Sequence, residues 1–263
     1  MKVGRFQHEG VLSYGILDSE EQEWVLLKGD PMFAGYEPTG ERVKITEVTL
    51  VAPVIPRSKV VGVGKNYRDH VEEMKNVTGG DAPTEPLLFL KPNTAVIGPN
   101  EPIVLPAASS RVEHEGELVV VIGKVAKNVP AEKALEYVFG YTIGNDVSAR
   151  DLQVADGQWA RAKGFDTFAP LGPVIETEFE LADAAIQTRV NGEIRQDGNI
   201  SDLIFDVPTI IAHASAAFTL LPGDVIMTGT PAGVGPIVAG DTVEVEIEGL
   251  GILRNPVKGA ERA

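Results

Sequence analysis

The chain has 263 residues, with 23 Lys and Arg against 38 Asp and Glu, which gives a formal net charge of −15. This acidic balance argues against nucleic acid or an anionic membrane surface as a partner, since both require a basic patch. The chain has no cysteine, so disulfides, cysteine-based zinc sites and thiol catalysis are excluded.

Composition also bounds the location of the protein and its fold class. No apolar run at the N-terminus resembles a signal peptide, and no stretch reaches the roughly 18 apolar residues of a transmembrane helix. We therefore expect a cytoplasmic protein without a membrane partner. The 28 glycines and 18 prolines predict many turns, which favours a mainly β protein over a helix bundle.

Residues 1–52 are predicted to form a small N-terminal β domain. Residues 11–17 and 24–27 are rich in apolar and β-branched side chains, and Gly10 helps to mark the turns around them. Pro53 and Pro56 then keep the chain extended, because residues before proline avoid the helical region. We place a domain boundary here, which leaves residues 53–263 as the larger domain.

Residues 60–67 predict a strand followed by a glycine turn. The pair Gly62 and Gly64 invites a dinucleotide-binding interpretation. We reject it because Tyr67 stands where a third glycine is required, and because no series of alternating strands and helices follows.

A short polar helix is predicted near residues 69–78. Asp69 and Glu72 have capping-box spacing, and His70 and Glu73 lie three residues apart on one face, where they can pair. The segment has little apolar surface of its own, so it suits a mobile lid over a site. The alternative is an ordinary surface helix with a casual His–Glu pair.

Residues 112–124 begin with acidic side chains and end with a β-branched apolar run, which predicts a strand anchored in a core. In such a strand Glu115 and Glu117 point the same way, with Glu113 above them. Acids held in this way repel one another unless they are solvated, protonated or bound to a cation, and two oxygen ligands on a rigid strand suit Mg²⁺. The alternative is a solvated strand end, since a Glu-x-Glu pair has low specificity.

Two later residues carry charges that suit the same site. Asp146 follows a predicted strand and adds a third carboxylate, although a turn or helix-capping aspartate is the alternative. Lys163 stands beside a glycine in a segment with two cations, although most lysines are surface residues.

Three further patterns mark the C-terminal half. Asn191 and Gly192 predict a type I′ hairpin, and residues 208–218 predict an amphipathic helix. The glycine-rich loop at residues 228–235 lacks the Gly-Lys-Ser/Thr ending of a phosphate-binding loop. Its glycines let backbone amides approach a ligand closely.

Seven blocks of sequence, in order, resemble the fumarylacetoacetate hydrolase family. The match runs from about residue 60 to residue 256. The blocks are Gly64-x-Asn66-Tyr67-x-x-His70, Phe89-x-Lys91-Pro92, Glu115-x-Glu117-Leu118, residues 144–151, residues 163–166, Val190-Asn191-Gly192-Glu193 and residues 228–235. A single block is weak, but seven in order are specific. They favour functional roles for the carboxylates, Lys163 and His70.

The resemblance implies a fold, a metal and a substrate site. The fold is expected to be the family's mixed β-sandwich or roll within a mainly β (α+β) protein, and the assembly is expected to be a homodimer. Glu115, Glu117 and Asp146 would bind a divalent metal, with Mg²⁺ preferred and Mn²⁺ as the alternative. The substrate would be a small keto acid. The residues implied to contact it are Lys163, Thr230, Gln153, Gly229 and Arg150.

The same resemblance implies a catalytic role for the predicted lid. His70 and Glu73 match the lid pair of the acylpyruvate-hydrolysing members. Glu73 would orient His70, which would take a proton from the water that attacks the distal carbonyl of a β-diketo acid. The C–C bond would break, and pyruvate would leave as a metal-bound enolate, with Lys163 beside the developing charge.

Three alternatives to this Mg²⁺-dependent C–C hydrolase stay open. Isomerisation of 2-hydroxyhepta-2,4-diene-1,7-dioate needs only proton shuttling at the same metal site. Oxaloacetate decarboxylation gives the same enolate without an attacking water. A metal-dependent keto-acid binding module would need the three carboxylates and Thr230, but no titratable His–Glu pair. The presence of His70 with Glu73 favours hydrolysis.

Overall fold

The computed structural model describes residues 1–78, 81–181 and 183–260. The described strands from β1 to β10 are Lys2–His8, Val11–Asp18, Glu23–Leu27, Pro38–Lys44, Thr49–Leu50, Val60–Gly64, Leu87–Lys91, Val96–Ile97, Ile103–Val104 and Val112–His114. Strands β11 to β20 are Gly116–Ile122, Val138–Asn145, Ser148–Ala149, Ala169–Glu176, Ala185–Val190, Glu193–Asn199, Val225–Met227, Gly235–Pro236, Thr242–Ile247 and Gly251–Lys258.

The helices are short and fewer than the strands. The α-helices α1 to α5 are Pro31–Ala34, Arg68–Thr78, Arg150–Asp156, Ala160–Lys163 and Val207–Ala217. Short 3₁₀ helices are Ile45–Glu47, Asn93–Ala95, Ala131–Tyr137 and Ile200–Asp202. Within the described ranges, no helix is both long enough and apolar enough to cross a membrane.

Twelve strands form one large mixed sheet that runs through the molecule. Its main path is β4-β3-β2-β1-β14-β12-β11-β17-β6-β7, with β5 on β1 and β8 on β14. Strand β1 joins β14 by antiparallel pairs such as Val3 with Ile175. The strands predicted near residues 11–17 and 24–27 are observed as β2 and β3, and they continue this sheet.

Two smaller sheets complete the fold. Strands β16-β15-β19-β20-β9 form one, and β13-β10-β18 form the other. The turn between β15 and β16 has φ of 53° at Asn191 and 81° at Gly192, as a type I′ turn requires. The predicted hairpin is therefore confirmed.

The main core lies between the large sheet, the five-stranded sheet and α5. Leu118 and Val120 of β11, Ile186 of β15 and Val245 of β19 share one buried cluster with Ile210 of α5. Val119 and Val121 of β11 face a second cluster on the opposite side of the large sheet. Because both faces of β11 are covered, the fold is the mainly β, mixed sandwich that was expected.

One prediction about residues 112–124 was wrong, because this stretch is not one strand. Strand β10 ends at His114 in the three-stranded sheet, and β11 begins at Gly116 in the large sheet. Between them, the backbone N–H of Glu115 donates to Oδ1 of Asn145 at 2.9 Å. The chain changes sheets at Glu115 because this amide bonds to a side chain rather than to a neighbouring strand.

The predicted lid helix is observed as α2. Its residues Val71 and Met74 are buried, so the helix packs on the protein in this structure. These two side chains form an apolar face, which was not expected because the segment as a whole is polar. Helix α5 is also confirmed, and Asp206 caps it by accepting the N–H of Thr209 at 2.9 Å.

Candidate active site and metal centre

The three predicted metal ligands come together in one buried cluster. Glu115, Glu117 and Asp146 each offer an oxygen atom, and these atoms lie within 4.8 Å of one another. The antiparallel pairing of β11 with β12 closes the gap in sequence, because it sets Glu117 opposite Gly144. The N–H of Asp146 then donates to the carbonyl of Glu115 at 2.8 Å. Three buried carboxylates form an all-oxygen donor set that suits Mg²⁺ or Mn²⁺.

Two buried lysines lie directly against these carboxylates. Nζ of Lys163 is 2.6 Å from Oε2 of Glu115 and 2.6 Å from Oδ2 of Asp146. Nζ of Lys91 contacts Oδ1 of Asp146 and donates to the carbonyl of Val147 at 3.2 Å. Burial lowers the pKa of Lys163, but Asp146 and Glu115 outweigh it and raise that pKa. Lys163 is therefore protonated at neutral pH.

The two glutamates of the cluster have opposite pKa shifts. Burial favours the neutral form of Glu115, but the charges of Lys163 and Arg150 hold its pKa well below the usual value. Burial, followed by repulsion from Asp146 and Glu115, raises the pKa of Glu117 well above the usual value. The ionised form of Glu117 is therefore disfavoured beside the other two carboxylates, and a divalent cation would relieve this repulsion. The residues thus fit a divalent metal.

Arg150 lies at the start of α3, and its buried guanidinium is already engaged. It donates to Oε2 of Glu113 at 2.7 Å and to Oε1 of Gln153 at 2.6 Å, and it also contacts Glu115. Arg150 and Gln153 were predicted as substrate contacts. In this arrangement Arg150 orients Glu115, and both residues line the same cavity as the cluster.

The glycine-rich loop supports the cluster through its backbone and one hydroxyl. The N–H of Gly229 donates to Oε2 of Glu117 at 2.7 Å. Oγ1 of Thr230 donates to the carbonyl of Gly116 at 2.8 Å and accepts from Nε2 of Gln196 at 2.6 Å. The expected contacts of Gly229 and Thr230 with a substrate stay predictions.

The predicted catalytic pair on α2 is formed. Nδ1 of His70 lies 3.1 Å from Oε2 of Glu73, and the other oxygen of Glu73 accepts the N–H of Gly233 at 3.0 Å. Burial opposes the charge on Glu73, but the bonds from His70 and Gly233 lower its pKa. Because an ionised carboxylate can only accept, Nδ1 carries the proton and Nε2 of His70 is the basic nitrogen.

A cavity of about 20 Å³ brings these groups together. Its lining residues are Val63, Gly64, Lys65, His70, Met74, Phe89, Glu115, Glu117, Asp146, Arg150, Gln153, Trp159, Lys163 and Thr230. This volume holds about one water molecule. Helix α2 supplies His70 and Met74 to this lining, so it forms one wall of the cavity, and its role as a lid stays a prediction.

The two glycines of β6 make room for an aromatic wall of this cavity. A Cβ atom at Gly62 would lie 2.1 Å from the ring of Phe89, and one at Gly64 would lie 2.5 Å from the ring of Trp159. The two rings meet edge to face, with centroids 5.4 Å apart. The Gly-x-Gly pair thus has a packing role, which agrees with the rejection of a dinucleotide site.

Sequence reasoning assigned no role to four buried residues that support the site. Lys91 binds Asp146, Glu113 binds Arg150, and Asn145 accepts the N–H of Glu115. Gln196 accepts the N–H of Gly116 at 3.0 Å and donates to Thr230. Lys91 had a signal, since it ends an apolar strand within a matched block. Gln196 had none, because only the folded hairpin brings it to the site.

Comparison with known proteins places the chain in a family. Residues 59–258 match the model of the fumarylacetoacetate (FAA) hydrolase C-terminal region, and residues 1–53 match the Rv2993c-like N-terminal model. A solved structure of 2-hydroxyhepta-2,4-diene-1,7-dioate isomerase from Mycobacterium marinum is 46% identical, with 100% of both chains covered and a TM-score of 0.89.

Two further relatives differ in their named activities. Oxaloacetate tautomerase Fahd2a of Rattus norvegicus is 44% identical over 81% of this chain and 70% of its own length. Fumarylpyruvate hydrolase from Pseudomonas aeruginosa, solved with Mn²⁺ and pyruvate, is 36% identical with a TM-score of 0.72. That match covers 81% of this chain and 92% of the relative.

The fold and the acidic site together define a metal-dependent enzyme rather than a binding module. The chain belongs to the fumarylacetoacetate hydrolase family, whose members are metal-dependent isomerases, hydrolases and tautomerases.

Proposed function

We propose that the chain is a Mg²⁺-dependent hydrolase that cleaves a C–C bond in acylpyruvates, with Mn²⁺ as an alternative metal. The observation that carries this proposal is the position of His70. Its ring is paired with Glu73, and it lines the same cavity as the three clustered carboxylates. A base and an acidic metal site that face one cavity suit water-dependent cleavage of a keto acid.

Glu115, Glu117 and Asp146 are the residues that would hold the metal. When bound, the cation supplies Lewis-acid stabilisation of negative charge on the keto-acid oxygens. Lys163 is protonated and already directed at the same carboxylates, so it adds a fixed positive charge beside them. These charges allow a protein with a net charge of −15 to accept an anionic substrate.

The proposed role of His70 is to move one proton. Its Nε2 takes a proton from water, and the hydroxide adds to the distal carbonyl carbon of the β-diketo acid. The C–C bond then breaks. The acyl part leaves as a carboxylic acid, and the electron pair of the broken bond stays with the pyruvate part, which forms the enolate. The imidazolium returns the proton to the enolate carbon, which gives pyruvate. Glu73 stabilises the imidazolium between these steps.

Closure of α2 over the substrate would allow this proton transfer to begin. Without a substrate the cavity of about 20 Å³ has room for about one water molecule, so α2 would open to admit a keto acid and then close over it to exclude bulk water. Glu73 links the lid to the glycine-rich loop through the N–H of Gly233. The same residue thus orients the base and holds the helix closed, so that His70 becomes an effective base only when the site is sealed.

A second candidate function is tautomerisation or isomerisation of a keto acid. Its support is the 44% identity to the rat oxaloacetate tautomerase and the 46% identity to the mycobacterial isomerase. These reactions move a proton between carbon and oxygen, and His70 alone could do this without an attacking water. Oxaloacetate decarboxylation at the same metal site is a third reaction, and it needs no general base.

The test is an assay of acetylpyruvate and oxaloacetate with protein stripped by EDTA, before and after addition of Mg²⁺. We expect Mg²⁺-dependent loss of acetylpyruvate absorbance, with pyruvate and acetate formed in equal amounts. His70→Ala should abolish this turnover and still bind Mn²⁺ in titration calorimetry. Glu72→Ala, at an exposed neighbouring position of α2, is the matched control.

Other outcomes would assign another reaction. Pyruvate released only from oxaloacetate, with acetylpyruvate intact, would indicate a decarboxylase. Enol–keto exchange of oxaloacetate without release of pyruvate would indicate a tautomerase. Either result would contradict the hydrolase proposal, provided that the protein binds Mn²⁺.

A further inference from the structure

We infer that Gln196 is a positioning residue that makes the carboxylate cluster prefer a small divalent cation over a large one. Gln196 lies on β16 of the five-stranded sheet, outside the strands that carry the carboxylates. This inference rests on the metal centre of the proposed function. It adds a residue that does not touch the metal but fixes the backbone between Glu115 and Glu117.

The side-chain amide of Gln196 is fully buried and uses both of its ends. Its Oε1 accepts the N–H of Gly116 at 3.0 Å and lies 3.2 Å from Nδ1 of His114. Its Nε2 donates to Oγ1 of Thr230 at 2.6 Å and to the carbonyl of Pro231 at 2.8 Å. The two backbone partners fix the orientation of the amide, because an N–H only donates and a carbonyl only accepts.

Three of these hydrogen bonds form a closed ring around Gly116, the residue between the two glutamates. Gly116 donates to Gln196, Gln196 donates to Oγ1 of Thr230, and that hydroxyl donates to the carbonyl of Gly116 at 2.8 Å. Each member donates once and accepts once within the ring. The ring therefore ties β11 to the glycine-rich loop, where the N–H of Gly229 also binds Glu117.

The backbone at Gly116 is also held by close packing. A Cβ atom there would lie 2.2 Å from Oγ1 of Thr188 on β15 and 2.9 Å from Cγ1 of Val245 on β19. The preceding amide, that of Glu115, donates to the side chain of Asn145. Two consecutive amides between the glutamates are thus bound by side-chain oxygens from different strands, which restricts movement of the backbone that carries both carboxylates.

A backbone that cannot spread favours Mg²⁺ over Ca²⁺. Mg²⁺ requires near-ideal octahedral geometry with ligands at about 2.1 Å, whereas Ca²⁺ accepts about six to eight ligands at longer and more variable distances. Residues that orient metal ligands from outside the coordination sphere commonly change metal affinity about 10- to 100-fold when they are replaced. Loss of Gln196 should therefore relax the discrimination between the two cations, and not only weaken the binding of both.

The test measures how well Mg²⁺ and Ca²⁺ displace Mn²⁺ from the protein, with free Mn²⁺ followed by electron paramagnetic resonance. Gln196→Met keeps the length of the side chain and removes the hydrogen bonds of the amide. We expect wild type to prefer Mg²⁺ over Ca²⁺, and Gln196→Met to reduce this preference about tenfold. Thr230→Val breaks the same ring at the hydroxyl and should reduce the preference in the same direction.

Gln187→Met is the matched control, because Gln187 lies on β15 of the same hairpin and donates to Asp197 at 2.9 Å, away from the ring. It should keep the wild-type preference. A merely structural role of Gln196 would lower the melting temperature and weaken the binding of both cations by the same factor. That result, or a wild type that does not prefer Mg²⁺, would overturn the inference. If Gln196→Met does not fold, an unchanged preference in Thr230→Val would overturn it.

Displacement of Mn²⁺ needs no turnover, so the result is independent of the acetylpyruvate assay. A reduced preference in Gln196→Met, in a protein without hydrolase activity, would overturn the proposed hydrolase and leave the Gln196 inference standing. Hydrolysis of acetylpyruvate by wild type, with the same preference in wild type and Gln196→Met, would do the reverse. A wild type that binds no Mn²⁺ would overturn both.

Discussion

At the residue scale, Lys91 is a buried lysine to which sequence reasoning assigned no role. It contacts Asp146, which also binds Lys163. Removing one partner of a buried ion pair leaves an uncompensated charge and costs about 3 kcal/mol or more. We expect Lys91→Met to lower the free energy of unfolding in urea by about this amount, and Lys133→Met to leave it unchanged.

The same variant provides a check on the metal site. A cation that binds only the folded state raises stability by mass action. If Lys91→Met still binds Mn²⁺, saturating Mn²⁺ should raise its melting temperature and recover part of the lost stability. If Mn²⁺ leaves the melting temperatures of both Lys91→Met and wild type unchanged, the assignment of the metal centre is contradicted.

Glu117 tests the metal ligands most directly. Glu117→Gln removes a ligand charge but keeps an oxygen that can accept the N–H of Gly229. Since Mg²⁺ and Mn²⁺ favour charged oxygen ligands, we expect a loss of about 100-fold in Mn²⁺ affinity by calorimetry, with the fold retained. Glu132→Gln, at an exposed position outside the cavity, is the control. Equal Mn²⁺ affinity in both variants would exclude Glu117 as a ligand.

At the scale of elements, the lid helix α2 is held to the glycine-rich loop by Glu73. A Cβ atom at Gly233 would lie 1.9 Å from the carbonyl oxygen of Arg195, and φ there is 99°, so the loop needs glycine to present its N–H. This geometry makes the contact between Glu73 and Gly233 a specific one.

Loss of that contact should loosen the lid. We expect Glu73→Ala to speed hydrogen exchange of the amides in α2 several-fold, because local opening no longer breaks this bond. The exposed neighbour Glu72 supplies the control, Glu72→Ala. Unchanged exchange in Glu73→Ala would show that the apolar contacts of Val71 and Met74 alone keep the lid closed.

Asp224 joins two neighbouring strands of the large sheet, β17 and β6. Its carboxylate accepts the N–H groups of Ser58 at 2.9 Å and of Leu221 at 2.9 Å, and it pairs with Lys59 at 2.7 Å. Burial opposes the charge, but Lys59 and these donors lower the pKa of Asp224. A lowered pKa stabilises the fold above the unfolded value of about 3.8, and this contribution is lost as pH falls below it.

The corresponding variant should show this pH dependence. We expect Asp224→Asn to reduce the free energy of unfolding at neutral pH by about 2 kcal/mol, through the lost charge-assisted bonds. The difference from wild type should shrink as the pH falls below the unfolded value and through the lowered pKa of folded Asp224, where the wild-type carboxylate becomes protonated. A difference that is constant from neutral pH to that point would show that the charge of Asp224 contributes nothing.

At the scale of the whole molecule, the N-terminal strands extend the catalytic sheet. Strand β1 covers the edge of β14, and Phe6 and Trp24 pack with Val174 in one buried cluster. We expect removal of residues 1–52 to expose this edge and cluster, to lower the melting temperature by several degrees and to promote aggregation. A truncated protein with the wild-type melting temperature would show instead that residues 53–263 fold independently.

Local sequence patterns were sufficient to predict many of the strands and helices. Alternating and β-branched runs predicted β2 and β3, Asn191 and Gly192 predicted their hairpin, and polar spacing predicted α2. These elements depend on neighbours within a few residues, so their signals lie in short stretches of sequence. The break at Glu115 was missed because its cause is Asn145, which is distant in sequence and acts only after β11 and β12 have paired.

The sequence by itself determined the chemistry available to this protein, and the tertiary structure decided how it is arranged. The acidic residues, His70 and Lys163 stand in recognisable blocks, so an acidic site that suits a divalent metal and an enzyme of this family could be predicted. Which cations bind those acids, and how α2 brings His70 to the same cavity, depend on pairings between distant strands. Such contacts form only when the sheet assembles, and no short stretch of sequence encodes them.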